Sequence, residues 1–214
     1  MYTKISENLN RILTFANKYN PTIIAVSKYY TADKMEEAYR AGLNNFGENR
    51  VLDAIEKIHL MKEEITSNSH YHLIGHLQSN KARKAVGVFD LIHSVDSVEL
   101  ASHINDIAKQ KGIVQKILIQ VNNAQEIQKF GIAPSQLENL LDKISDFDSI
   151  SVEGLMTIAP LTDDTVLIRK LFREMYGLKE MYRLKELSMG MSNDYKIALE
   201  EGATMIRLGR TLFE

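Results

Sequence analysis

Apolar positions along the chain follow two alternating periods, which divide the sequence into strands and helices. Apolar side chains recur at helical spacing over residues 3–19 and predict an amphipathic helix. The apolar run 22–28 predicts a buried strand, and residues 31–41 predict a helix that ends at Gly42. The chain therefore opens with a helix and continues with a strand–helix unit.

This strand–helix unit is repeated to the end of the sequence. Further strands are predicted over 44–46, 70–74, 89–93, 114–121, 150–156, 186–189 and 204–208. Further helices are predicted over 49–63, 79–86, 98–112, from Pro134 onward, 163–185 and 194–201, with a short eighth after Leu208. Eight units close a barrel, so we expect one (β/α)₈ TIM barrel domain over residues 1–214 with an extra N-terminal helix. An open, doubly wound parallel sheet is the structural alternative.

Composition narrows the classes of function. The 214 residues contain no cysteine, which excludes disulfides, thiolate nucleophiles and cysteine-based zinc sites. The 26 basic and 28 acidic side chains give a formal net charge of −2, without the basic surface of a nucleic-acid binder. The sequence also lacks an apolar run of about 18 residues and the apolar block of a signal peptide. We expect a soluble, cytoplasmic protein with no nucleic-acid or membrane partner.

Candidate chemistry lies where the predicted strands end, because reacting groups of βα barrels collect at that face. Lys28 follows an apolar strand directly, where it can lose its proton and attack a carbonyl; alternatively it caps the strand and reaches into water. The turns at 190–192 and at Gly209 offer a hydroxyl and free amides that suit an anion. Arg207, on the last strand, needs either a carboxylate or a ligand as its partner.

Three histidines near one strand raise the question of a metal site. Strand alternation places His70 and His72 on one face, with His76 following, but no carboxylate at a fitting spacing completes a ligand set. We therefore expect packed or hydrogen-bonded histidines and no metal. The carboxylates of Asp163 and Asp164 are assigned to a helix start, where they complement the helix dipole.

Short motifs along the whole sequence match one protein family in order. The matching stretches are 25–28, 46–49, 72–81, 119–122, 129–131, 154–156, 187–192 and 206–209. On these motifs the chain resembles, nearly end to end, the pyridoxal-phosphate homeostasis protein family. The fold of that family is similar to the barrel domain of alanine racemase.

The resemblance implies a cofactor and a role for each matching residue. The implied cofactor is pyridoxal 5′-phosphate (PLP), held as a Schiff base on Lys28 with Asn49 beside it. It implies that Arg207 is the partner of the pyridine nitrogen. The residues implied for the phosphate are Met191, Ser192 and Gly209. Many family members have a threonine where this chain has Arg210, which can replace the hydroxyl by a charge-assisted bond or point away.

The implied function is PLP homeostasis without clear catalytic turnover. The alternatives are a PLP-dependent amino-acid racemase, which we expect to need a further domain, and a cofactor-free interaction barrel. Lys129 or Lys81 is open as a second aldehyde-reactive lysine. We expect a monomer, with PLP-dependent apoenzymes as possible recipients of the cofactor.

Overall fold

The computed structural model describes residues 3–214, and at its centre eight parallel strands form a closed barrel in sequence order. Residues 1 and 2 of the predicted domain lie outside the described residues. The strands are β1 Thr22–Val26, β2 Asn45–Glu48, β3 His70–Leu73, β4 Leu91–Val95, β5 Gln115–Gln120, β6 Ile150–Met156, β7 Glu186–Ser188 and β8 Met205–Leu208. Pairing of β1 with β8, where Ile24 lies opposite Arg207, closes the barrel. The predicted (β/α)₈ barrel is confirmed over the open sheet.

Helices connect successive strands on the outside of the barrel. They are α1 Lys4–Ala16, α2 Ala32–Arg40, α3 Val51–Leu60, α4 Glu63–Thr66, α5 Ala82–Ala85, α6 Val98–Lys111, α7 Leu137–Ile144, α8 Thr165–Met181, α9 Tyr195–Glu200 and α10 Arg210–Phe213. The predicted extra N-terminal helix is α1. The helix predicted over 49–63 is interrupted, because Met61 and Lys62 adopt extended backbone angles between α3 and α4.

Capping residues mark the start of α8 and the end of α6. Asp164 accepts hydrogen bonds from the amides of Val166 (3.0 Å) and Leu167 (2.9 Å), which confirms the predicted helix start. Gly112 ends α6 in the left-handed region with φ of +67°. None of the helices in residues 3–214 combines the length and the apolar composition that crossing a lipid bilayer requires.

Buried side chains form two separate layers. The larger cluster fills the space between the strands and the surrounding helices and includes Ile206 and Leu208. A smaller cluster inside the barrel contains Met205, on the opposite face of β8, as the alternation predicted. The other members of this inner cluster are Ile24, Leu91, Leu118 and Met156. Arg207 shares the inner face with Met205, so the barrel interior combines apolar and charged groups.

Candidate functional site

A cavity of about 1100 Å³ lies where the carboxyl ends of the strands meet. Its volume lies just above the range of about 300–1,000 Å³ that is typical of small-molecule sites. Each residue that the sequence assigned to a cofactor lines this cavity. They are Lys28, Asn49, Met191, Ser192, Arg207, Gly209 and Arg210.

Lys28 lies in the turn after β1, and the residue before it is held by several hydrogen bonds. Ser27 donates through Oγ to Glu48 Oε1 at 2.7 Å, and its carbonyl oxygen accepts from Lys57 Nζ at 2.8 Å. Glu48 and Lys57 also form an ion pair of 2.8 Å with little exposure. The Lys28 side chain is partly buried, 4.8 Å from the Tyr29 ring centroid, and it pairs with no carboxylate of residues 3–214. A fixed backbone thus presents an unpaired amine to the cavity.

Asn49, just after β2, is held in place by the neighbouring loop after β3. A Cβ atom on Gly75 would lie 2.3 Å from the Asn49 carbonyl oxygen, so only glycine permits this approach. Ser94 donates through Oγ to the Gly75 carbonyl oxygen at 2.7 Å and fixes the loop from the β4 side. Asn49 is therefore positioned by contacts that the sequence does not reveal.

Arg207 is 3% exposed and makes two hydrogen bonds inside the barrel. Its Nη1 donates to Ser188 Oγ at 2.6 Å, and its Nη2 donates to the Thr157 carbonyl oxygen at 2.8 Å. Within residues 3–214 no carboxylate is hydrogen-bonded to the guanidinium, which binds a hydroxyl and a carbonyl instead, so a ligand partner stays a prediction. Burial lowers the pKa of Arg207 to about 10, and the nearby Asp194 charge opposes that shift. The side chain is still cationic at neutral pH and lines the cavity.

The turn after β7 is shaped around one glycine and one buried carboxylate. Gly190 has φ of +89°, and a Cβ there would lie 2.5 Å from the Ala198 Cβ in α9. Asp194 accepts from the Met191 amide at 2.5 Å and is 6% exposed. Burial raises the pKa of the Asp194 carboxyl, whereas the Met191 amide and the Arg207 charge lower it. The sequence pattern places Asp194 only at the start of a predicted helix, and this contact leaves no signal in it.

The turns after β7 and β8 meet and expose unused donors. Thr211 donates through its amide to Ser192 Oγ at 3.4 Å, which joins the two turns. The backbone amides of these turns that border the cavity and donate to no acceptor in residues 3–214 include those of Ser192, Asn193, Gly209 and Arg210. Because α9 and α10 are short, these amides matter more than any helix dipole. The Arg210 side chain is exposed at the same edge. This donor set suits an anion.

The two other candidate lysines differ in position. Lys129 lines the cavity, where it forms an ion pair with Glu126 and donates to the Ala159 carbonyl oxygen at 3.0 Å. Lys81 is not among the residues that line the cavity. A second aldehyde-reactive lysine remains a prediction, and the geometry favours Lys129 over Lys81 for it.

The three histidines near β3 lie in three different environments. The His70 side chain is exposed, and its Nδ1 lies 3.4 Å from Asp90 Oδ1. His76 stacks on Phe130 with ring centroids 3.7 Å apart. His72 is buried and hydrogen-bonded to His93 at 3.0 Å, as expected for a hydrogen-bonded histidine. Within residues 3–214, no cluster of three or more His, Asp or Glu side chains has the arrangement of a metal site.

Comparison with known proteins relates this chain to one family. The family model for the alanine racemase N-terminal domain matches residues 2–214. The pyridoxal phosphate homeostasis protein of Aquifex aeolicus is 38% identical over 197 residues, covering 89% of this chain and 85% of that protein. PipY of Synechococcus elongatus, solved without PLP, is 41% identical with a TM-score of 0.89, over 98% of this chain and 100% of its own. With PLP bound, PipY gives a TM-score of 0.87 at 40% identity with the same coverage. The chain therefore belongs to the alanine racemase N-terminal domain family, within its group of pyridoxal phosphate homeostasis proteins.

Proposed function

We propose that this chain binds PLP covalently through Lys28 at the mouth of the barrel and serves in PLP homeostasis. The observation that carries the proposal is that an unpaired amine, four unpartnered amides and a buried guanidinium line or border one cavity. PipY, which shares the fold at 40% identity, was solved with PLP bound, and the Aquifex relative is named for PLP homeostasis. We further propose that the protein is a cytoplasmic monomer and that the described residues form one domain. In this proposal it passes PLP to PLP-dependent apoenzymes.

The residues present fit the cofactor, group by group. The unpartnered amides around Ser192 and Gly209, with the Ser192 hydroxyl, match the acceptor oxygens of a phosphate. The Arg210 side chain supplies a positive charge at the same edge, in place of a threonine hydroxyl. Asn49 borders the cavity from β2 and would flank the ring.

When bound, PLP supplies an aldehyde that condenses reversibly with a primary amine and releases one water molecule. Lys28 would be that amine, since it faces the cavity without a carboxylate partner. The hydrogen bonds that Glu48 and Lys57 make to Ser27 would keep the amine in place. Ser192, Gly209 and Arg210 would hold the phosphate end.

Arg207 supports a carrier in preference to an enzyme. A guanidinium has only donors, so a nitrogen opposite it must accept and stay unprotonated. An unprotonated pyridine ring withdraws electrons poorly, which disfavours carbanion chemistry. The two hydrogen bonds from Arg207 to Ser188 and Thr157 keep the guanidinium inside the barrel at this face. We therefore propose that the chain retains PLP without appreciable turnover.

Borohydride trapping tests the covalent assignment. Purified protein loaded with PLP should be yellow, and reduction should add one phosphopyridoxyl group to the peptide that contains Lys28. In Lys28→Ala the visible band and the adduct should both be lost, while Lys129→Ala and Lys81→Ala serve as matched lysine controls and keep the Lys28 adduct. A band that persists in folded Lys28→Ala would move the attachment to another lysine.

A further inference from the structure

A chain of hydrogen bonds crosses the barrel interior from the cavity toward the amino ends of the strands. Arg207 Nη1 lies 2.6 Å from Ser188 Oγ, which lies 3.0 Å from His93 Nδ1. His93 Nε2 lies 3.0 Å from His72 Nδ1, and His72 Nε2 lies 2.9 Å from Asn45 Oδ1. These five side chains come from five strands, and Asn45 is the first residue of β2. This hydrogen-bond network links the cavity to the opposite face of the barrel.

The Asn45 end of this hydrogen-bond network sets the direction of its hydrogen bonds, and the Arg207 end is compatible with that direction. Arg207 can only donate, so Ser188 Oγ accepts from it, and the hydroxyl hydrogen is left free to point to His93 Nδ1. At the far end, Asn45 Nδ2 donates to Asn44 Oδ1 at 2.8 Å, so Asn45 Oδ1 accepts from the neighbouring imidazole. Each imidazole therefore carries its hydrogen on Nε2 and accepts on Nδ1. A donor faces an acceptor at every link.

The direction requires neutral imidazoles, and burial keeps them neutral. Burial lowers the pKa of His72 to about 4, while the Asp90 charge raises it and the His70 charge lowers it. The pKa of His93 is held well below its ordinary value by burial first, then by the charges of His72 and Arg207. A neutral His93 accepts from the hydroxyl beside a cation, whereas an imidazolium would repel that cation.

We propose that His93 is a positioning residue for Arg207, acting through the Ser188 hydroxyl with His72 and Asn45 behind it. Hydrogen bonds arranged in one direction polarise and strengthen one another. The hydrogen-bond network therefore makes Ser188 Oγ a better acceptor for the guanidinium. That contact and the Thr157 carbonyl restrain both terminal nitrogens of Arg207. The inference rests on the proposed function, in which Arg207 is the partner of the pyridine nitrogen.

Nitrogen NMR of the ligand-free protein tests this hydrogen-bond network without any cofactor. His72 and His93 should both show the Nε2–H tautomer and should not titrate between about pH 8 and about pH 5. Asn45→Leu should shift the His72 Nε2 resonance in a folded protein, and His93→Leu should broaden the side-chain resonances of Arg207. An Nδ1–H tautomer, titration near the ordinary pKa of about 6.5, or unchanged Arg207 resonances would overturn the proposal.

Loaded protein provides the second test. His93→Leu should weaken PLP binding on the order of tenfold and shift the absorbance maximum of the bound cofactor. His93→Gln should restore part of both, because an amide both donates and accepts. Gln115→Leu is the control, since it removes a buried hydrogen bond of 2.9 Å to the Phe89 carbonyl oxygen outside this chain. It should cost stability without shifting the spectrum.

The outcomes separate the two proposals. If His93→Leu does not fold, Ser188→Ala removes the same acceptor from Arg207 and is measured in the same way. An unchanged spectrum and affinity in either folded variant would overturn the positioning role. If the wild-type protein does not take up PLP, the proposed function fails, and the NMR experiment alone decides whether His93 positions Arg207.

Discussion

Gly75 lies so close to Asn49 that a Cβ atom added to it would be 2.3 Å from the Asn49 carbonyl oxygen and 2.7 Å from its Cα. Both atoms belong to the backbone, so one of the two loops must shift to admit even a methyl group. Asn49 lines the cavity, so in our proposal this contact couples the packing of the two loops to the binding of PLP.

Gly75→Ala should therefore lower the free energy of unfolding by about 1–3 kcal/mol. It should also weaken PLP binding. Gly177→Ala is the control, since a Cβ there meets no atom within 4 Å inside α8, and it should be neutral or stabilising by up to about 1 kcal/mol. Urea unfolding and PLP titration give the two quantities. A Gly75→Ala protein that matches wild type in both would contradict the steric argument.

The phosphate should provide much of the affinity for PLP. Pyridoxal, which lacks the phosphate, should bind much more weakly than PLP, because the free amides around Ser192 and Gly209 would lack an acceptor. Arg210→Ala should weaken PLP about two- to fivefold in low salt and leave pyridoxal unchanged, since Arg210 is exposed. Arg11→Ala, an exposed arginine on α1, is the control. Fluorescence titration at two salt concentrations measures the affinity for each ligand. Equal affinities for PLP and pyridoxal would contradict a phosphate site at these turns.

Loss of the α-proton of amino acids in deuterated water distinguishes a carrier from an enzyme. The wild-type protein loaded with PLP should exchange the α-proton of L- and D-alanine far more slowly than an enzyme does. Arg207 keeps the ring nitrogen an acceptor in our proposal, which disfavours the carbanion. Proton NMR with wild type and Lys28→Ala follows the exchange. Lys28-dependent exchange on the order of 1 s⁻¹ or faster would establish an enzyme instead.

Acid should destabilise the fold through the buried histidines. The pKa of His72 is about 4 in the folded chain, against about 6.5 when unfolded, so between these values only the unfolded chain binds the proton. Stability should therefore be complete above about pH 6.5 and fall as the pH is lowered toward 4, by about 1.4 kcal/mol per pH unit from His72 alone.

Urea unfolding at neutral pH and at about pH 5 measures this loss. His72→Gln should reduce the difference between the two, whereas His103→Gln, at an exposed position of α6, should leave it unchanged. A wild-type protein that is equally stable at both pH values would show that the imidazole is not held neutral by the fold.

Hydrophobic periodicity predicted the strands and helices of the barrel, because each element shows its period within its own residues. The bounds of β6 agree with the predicted strand at residues 150–156. The strand predicted over 89–93 was displaced, and β4 is Leu91–Val95 with a register shift toward β5. Such a shift depends on the neighbouring strand, which the local pattern does not contain.

The candidate site was likewise predicted only in part from the sequence. Lys28 and the glycine turns were found because chemistry in a βα barrel collects at known strand ends. The supports of the site were missed, because Glu48 and Lys57 reach Ser27 across strands, and Ser188 reaches Arg207 between β7 and β8. Contacts between side chains far apart in sequence leave no periodic signal.

The pairing of Ile24 with Arg207 has a consequence for biosynthesis. Lys28 follows the first strand and Arg207 belongs to the last. The cavity is therefore lined by residues that lie almost at opposite ends of the sequence. On the ribosome, seven strands emerge before β8 and leave β1 and β7 with unsatisfied edges. A nascent chain at that stage offers Lys28 as an ordinary reactive amine. In our proposal, selective capture of an aldehyde by Lys28 begins only when translation has delivered β8 and the barrel has closed.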